Sequence, residues 1–322
     1  MIEKKNIPEG SGKKGEEQAE QDALSRRSRL VREIVSEFNQ HTYLKSIFVD
    51  GNRGKSEIDK PFRYPEHVET IRYHMPEFEM ELLSWKESDS PWVILQLHGG
   101  GYVGAMKNNY RTMAGLYAEV GKGAKVLTID YRVAPEHPFP AALMDACAAY
   151  RWLLEQGYDH RQIILGGDSA GGGLAMALCH YLKDCELELP VGIVAMSPWT
   201  DLTASGSSYK DNYEIDPVFG CGGDGLIHDS AYIGDNDARN PYISPLFGDF
   251  AGFPPMLIQV GTCEMLLSDS ELVAKKAIEA GVKVRLSKYE GMFHVFQMAA
   301  KLMPESGKAW AEVGKFIELL GR

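Results

Sequence analysis

Long apolar runs are missing from this chain of 322 residues. Its uninterrupted hydrophobic stretches reach about five or six residues, far short of the ~20 that a membrane-spanning helix needs. Cysteine is scarce and unpatterned: Cys147, Cys179, Cys185, Cys221 and Cys263 are odd in number, and no two stand in C-x-x-C spacing. A chain of this size needs no covalent staples, so free thiols in a reducing compartment are expected. Positive charge is also short, with 34 Lys and Arg against 45 Asp and Glu and a formal net charge of -11. Without a basic stripe, nucleic acid is a poor partner. Residues 1–22 have no apolar core of a signal peptide or anchor, and a cytoplasmic protein with no membrane association is the expectation. No H-E-x-x-H, clustered His/Cys set or complete calcium loop occurs, so no metal is expected. No G-x-G-x-x-G follows a first strand with an acid about 20 residues on, so no dinucleotide, and no other cofactor, is expected.

Glycine, by contrast, is abundant, at 33 residues against a usual ~7%. The glycines cluster beside buried strands. Continuous apolar runs at 92–97, 124–130, 162–165, 191–196 and 256–260 read as strands covered on both faces. Residues 67–74 and 78–85 read as a hairpin around Met75-Pro76-Glu77, and 282–289 alternates, as a strand nearer an edge would. Helical spacing appears at about 109–121, 140–156, 170–183, 268–280 and 305–320, and earlier at 24–44. Strands alternating with helices predict an α/β fold with an eight-stranded, mostly parallel sheet. About 60 residues separate the strand at 191–196 from that at 256–260. They carry many aromatics and are too many for a bare loop, so they read as an insertion over the sheet.

Gly167-Asp168-Ser169-Ala170-Gly171 is a G-x-S-x-G between a strand and a helix, the setting of a nucleophile elbow. The competing reading is a tight glycine turn made for packing. His98-Gly99-Gly100-Gly101 ends the strand at 92–97 and has the form of an oxyanion-hole loop. Donors are expected from Gly99, Gly100 and Gly101, with Ala170 after the nucleophile, while His98 is expected to brace the loop. A base must come late in the chain, and His294 is the only histidine after His228. The acid should follow the strand at 256–260, where Glu264 and Asp269 compete. Ser268-Asp269-Ser270-Glu271 reads as a capping box, which would explain Asp269 by the helix dipole alone. Glu264 stands at the strand's end and is favoured; Asp201 is a third choice.

Four segments in order, HGGGYVGA at 98–105, DYRVAPEHPFPAAL at 130–143, GGDSAGGGLA at 166–175 and SPWTDLT at 197–203, resemble the hormone-sensitive-lipase-like (bacterial family IV) esterases of the α/β-hydrolase superfamily. The resemblance implies a helical cap built from N-terminal helices and the insertion. Residues 1–22 would then be a disordered polar tail, 23–55 cap helices, 200–250 the cap insertion, and 56–199 with 251–322 the catalytic core. The family acid is usually Asp before Pro-Leu, whereas Glu264-Met265-Leu266 stands here. The expected activity is that of a serine carboxylesterase on small acetyl to butyryl esters. An amidase or deacetylase with the same triad, or a non-catalytic receptor on this fold, is the alternative. A homodimer through an exposed last strand is possible on the same reading.

Overall fold

The computed structural model describes residues 25–41, 56–220, 225–228 and 230–321. The polar tail at 1–22, most of the segment joining the first helix to the sheet, and Cys221 lie outside them. The first helix, α1, spans Arg26–His41. β1 (Val68–His74) and β2 (Glu79–Trp85) form the expected hairpin, with Val68 opposite Trp85 and His74 opposite Glu79. Then follow β3 (Val93–Leu97), α2 (Asn108–Val120), β4 (Lys125–Asp130), α3 (Ala141–Glu155), β5 (Ile163–Asp168), α4 (Ala170–Asp184) and β6 (Gly192–Met196). Among its described residues the insertion contains two one-turn helices, α5 (Ser208–Asp211) and α6 (Gly225–His228), and a 3-10 turn at Pro245–Phe247. β7 (Met256–Gly261), α7 (Leu267–Glu279), β8 (Val284–Tyr289) and α8 (Pro304–Leu320) complete the chain.

The eight strands form one sheet in the order β1-β2-β4-β3-β5-β6-β7-β8. β1, β2 and β4 pair antiparallel and every later neighbour is parallel. The alternation of side chains along each strand sorts the core into two layers. Val93, Leu95, Ile163, Leu165, Ile193, Met256 and Ile258 face α3, α4 and α7. Ile94, Val126, Ile164, Val194 and Leu257 face α2 and α8. Central strands β3, β5, β6 and β7 are buried along their whole length, whereas β8 at the edge alternates in exposure. The continuous apolar runs and the one alternating run have this origin.

Parallel pairing has a direct consequence for the site. The loops after β3, β5, β6, β7 and β8 all leave the sheet at the same edge. They begin at His98, Ser169, Ser197, Thr262 and Glu290.

Candidate active site

Ser169 occupies the turn between β5 and α4 with φ 51° and ψ -123°, a conformation that L-residues rarely adopt. The turn persists because its flanks are small. A Cβ on Gly171 would lie 2.1 Å from the carbonyl oxygen of Leu97, and one on Gly167 would lie 2.3 Å from that of Gly171. The turn is also pinned from β6: Ser169 N–H donates to Met196 O at 2.9 Å, and Trp199 N–H donates to Ser169 O at 2.9 Å. A serine held this way presents its hydroxyl at the sheet edge instead of folding it back onto the helix.

His294 Nε2 lies 2.9 Å from Ser169 Oγ, and His294 Nδ1 lies 2.9 Å from Glu264 Oε2. Three residues spread over 125 positions thus form one hydrogen-bonded line. Glu264 is completely buried. Its Oε1 accepts from Gly261 N–H at 2.6 Å and from the Ser197 hydroxyl at 2.7 Å. Together with His294 Nδ1 on Oε2, these donors hold the buried carboxyl in one rotamer. The imidazole is thereby oriented with Nδ1–H toward Glu264, leaving the Nε2 lone pair for the serine hydroxyl. The ring is covered by Phe219 of the insertion, centroids 4.7 Å apart.

The glycine loop after β3 divides its work. Gly99 N–H donates to Asp168 Oδ1 at 3.2 Å. The N–H expected among the oxyanion donors is thus engaged with the elbow. Gly99 must still be glycine, because a Cβ there would lie 2.3 Å from Asp168 Oδ2. Gly100 and Gly101 have φ of +106° and +62°, and among the described residues nothing accepts from their N–H groups. Ala170 N–H is a first-turn donor of α4, without a carbonyl one turn back in the helix. His98 braces the loop: its ring stacks on Tyr131 at 4.1 Å, its Nδ1 lies 2.7 Å from Gly99 O, and Tyr131 O–H donates to His98 O at 2.6 Å. Burial lowers its pKa and keeps the ring neutral. Burial also pushes the Asp168 carboxyl up to about 7.

The other two candidate acids, Asp269 and Asp201, have other partners. The expected capping box at 268–271 does not form. α7 begins at Leu267 without a side-chain cap, and Ser268 Oγ pairs with Ser208 Oγ of the insertion at 2.6 Å. Asp269 is not a solvent-facing dipole partner either. It is buried, and accepts from Thr200 N–H at 2.7 Å, Asp201 N–H at 2.8 Å and the Tyr209 hydroxyl at 2.8 Å. Burial raises its pKa to about 8. Helical periodicity could not reveal this, because the donors belong to the insertion. Asp201 closes its own turn, accepting from Thr203 N–H and Ser205 N–H, both at 2.9 Å.

Most insertion aromatics fasten it to the body instead of roofing the serine. Tyr232 stacks on Tyr102 at 3.8 Å, and Tyr242 O–H donates to Asp184 at 2.7 Å. Asp216 went unnoticed in the sequence. Buried, it accepts from Val218, Phe219 and Met265 N–H groups at 2.7, 3.1 and 2.7 Å, tying the ring over His294 to the loop that carries Glu264. Asn212 Nδ2 adds bonds to Thr262 O and Glu264 O at 3.0 and 2.7 Å. No local pattern marks either residue. α1 lies on the same side. Val31 and Val35 pack with Met292, Phe293 and Phe296, and Arg32 donates to Ile215 O at 3.0 Å.

Among the described residues no group of three or more His, Cys, Asp or Glu could hold a metal, and no helix is long and apolar enough to cross a membrane.

Known proteins resemble this chain in sequence and fold. The family described as the alpha/beta hydrolase fold matches residues 94–298. An acetyl-hydrolase of Streptomyces hygroscopicus is 38% identical over 232 residues, 70% of this chain and 74% of its own. An esterase of Acinetobacter venetianus is 36% identical over 234 residues, 71% of this chain and 76% of its own. The crystal structure of an esterase from the bacterial hormone-sensitive lipase family superposes with a TM-score of 0.81 at 34% identity, covering 92% of this chain and 99% of that one. With the eight-stranded sheet and its elbow, these likenesses place the chain in the α/β-hydrolase superfamily, as a member of the hormone-sensitive-lipase-like esterases.

Proposed function

We propose that this carboxylic ester hydrolase works through an acyl-enzyme on Ser169 and prefers short acyl groups, acetyl to butyryl. The observation that carries the reading is the line Ser169 Oγ, His294 Nε2, His294 Nδ1, Glu264 Oε2, with 2.9 Å at each hydrogen bond. In the first half-reaction Ser169 Oγ attacks the ester carbonyl while its proton passes to His294 Nε2. Glu264 stabilises the imidazolium that results. N–H groups of Gly100, Gly101 and Ala170 donate hydrogen bonds to the carbonyl oxygen as its negative charge grows. Collapse of the tetrahedral intermediate breaks the ester C–O bond, and the alcohol leaves with the proton from Nε2. Water then attacks the acyl-enzyme, giving a proton to the same nitrogen; collapse of this second intermediate breaks the C–Oγ bond, releases the acid and returns the Nε2 proton to Ser169 Oγ. No cofactor enters either half-reaction.

The short acyl preference is supported by what crowds the base. Phe219 covers the His294 ring, and α1 packs Val31 and Val35 onto the loop that carries it. An acyl chain entering beside this wall is confined, and each methylene left outside forfeits about 0.8 kcal/mol. The acetyl-hydrolase relative points the same way. In this reading α1 and the insertion form a cap.

A fluorophosphonate probe tests the nucleophile: labelling is expected in the wild type and lost in Ser169→Ala. A series of p-nitrophenyl esters tests chain length. kcat/KM should be highest from acetyl to butyryl and fall about tenfold or more by C8–C10. A profile still rising at C10 refutes a confined slot. Removing residues 1–20 should leave the profile unchanged, and removing 1–45 should abolish activity or selectivity.

A further inference from the structure

Ser197 opens the SPWTDLT segment, to which the chemistry above gives no part. It is completely buried. Its hydroxyl donates to Glu264 Oε1 at 2.7 Å and accepts from Val295 N–H at 3.1 Å. Glu264 follows β7 and Val295 directly follows His294, so one hydroxyl spans two loops. Ser197 itself belongs to neither. It directly follows β6, and its N–H donates to Gln259 O at 2.7 Å. Both Ser197 and Val295 have left-handed backbones, with φ of +48° and +51°. Backbone strain at two facing positions persists only where the surroundings over-determine it. Here it aims the hydroxyl and the N–H at each other.

We propose that Ser197 is a positioning residue of the site, setting the distance and angle between Glu264 and His294 by tying the carboxylate to the backbone beside the base. The proposal rests on the reading of Ser169, His294 and Glu264 as the catalytic triad. A hydroxyl suits the place because it donates and accepts at one atom. Alanine would leave Glu264 Oε1 with Gly261 N–H alone and would strand Val295 N–H in a buried site. The consequence reaches the chemistry because a displacement of about 1 Å between reacting groups costs up to about a hundredfold in rate. It also changes the charge balance. A carboxylate short of one donor attracts the imidazolium more strongly, which should move the acidic limb of the rate profile in the variants. The other ionisable groups near the pair are Asp168 on β5, Asp216 in the insertion and Cys263 on the Glu264 loop. All three remain in the variants below.

The experiment compares Ser197→Ala, Ser197→Gly and Ser197→Thr with wild type, using p-nitrophenyl acetate across pH, with Ser169→Ala in parallel. Glycine adopts φ +48° without strain, so it removes the hydroxyl while relieving the backbone. Ala and Gly should each lower kcat about 10- to 100-fold with KM changed by less than about threefold. Their kcat/KM profiles should show the acidic limb moved up by roughly half a pH unit. Thr keeps the hydroxyl and should restore the wild-type limb. Wild-type kcat and an unmoved limb in Ala and Gly, beside an inactive Ser169→Ala, overturn the role of Ser197 and leave the triad standing. Lower melting temperatures with an unmoved limb in all three variants reduce Ser197 to a structural residue and overturn it too. Activity retained in Ser169→Ala overturns the triad reading itself.

Discussion

Replacing Glu264 by glutamine separates the two candidate acids most sharply. The carboxylate is fully buried and accepts from Ser197 Oγ, Gly261 N–H and His294 Nδ1 at 2.7, 2.6 and 2.9 Å. A glutamine offers one acceptor atom and one donor group. If its oxygen stays with Ser197 and Gly261, its NH2 faces Nδ1 and drives the imidazole to the wrong tautomer, with the proton on Nε2. If the amide turns over, NH2 meets two other donors. The charge is lost in both cases. Two unit charges about 4 Å apart at an effective dielectric of ~20 interact by about 4 kcal/mol, roughly a thousandfold in rate. With the tautomer added, kcat should fall by up to about 10⁴. The donor left unpaired should cost about 1–3 kcal/mol of stability, a few degrees in Tm. Asp269→Asn is the matched control. It disturbs a buried carboxyl that accepts from Thr200, Asp201 and Tyr209, so it should lose a similar 1–3 kcal/mol while kcat stays within about tenfold of wild type. Initial rates on p-nitrophenyl acetate and thermal melts of both variants decide the matter. More than a tenth of wild-type kcat in Glu264→Gln, or the larger kcat loss in Asp269→Asn, would refute the reasoning.

Ser169→Ala and His294→Ala should each lose about 10⁴–10⁶ in kcat with normal folding, and the double variant little more, because the two act as a unit; additive losses would contradict this. Gly99→Ala drives a methyl against Asp168 Oδ2 and should displace the loop whose Gly100 and Gly101 N–H groups are proposed to hold the oxyanion; kcat should drop about 10²–10³ with the loss of a donor, and unchanged kinetics would show that the loop tolerates the shift. Asp168 and Asp269 titrate near 7 and 8 in the fold and near 4 when unfolded. The folded chain therefore holds protons that the unfolded chain has released, so their contribution is fully present below about pH 4 and declines as pH rises to about 8, at up to about 1.4 kcal/mol per pH unit for each. Denaturant unfolding at stepped pH should show this decline, and Asp269→Asn should make it shallower; a slope unaffected by that variant would refute the assignment of Asp269 to it.

Much of the molecule was legible because its cues are local. A strand buried on both faces must be apolar at every position, so β3, β5, β6 and β7 stood out as unbroken runs. A serine in a strained turn needs small neighbours, so the elbow announced itself through Gly167, Ala170 and Gly171. Chain order and the scarcity of late histidines singled out His294, and position at the end of β7 favoured Glu264. Tertiary structure decided what local cues could not. Asp269 looked like a helix-terminal acid because its real partners, Thr200, Asp201 and Tyr209, lie about 60–70 positions away and leave no periodic trace. Gly99 looked like an oxyanion donor, but its N–H is taken by Asp168 at the end of the neighbouring strand β5. Ser197 was marked only as the start of SPWTDLT, with no role attached, and Asp216 not at all, since the atoms they join are neighbours only because parallel strands bring their loops out at one edge. Residue types and local spacing determined which side chains were able to do chemistry; where each hydrogen bond goes was decided by folding, because a bond is fixed by the meeting of donors and acceptors in space and not by their separation along the chain.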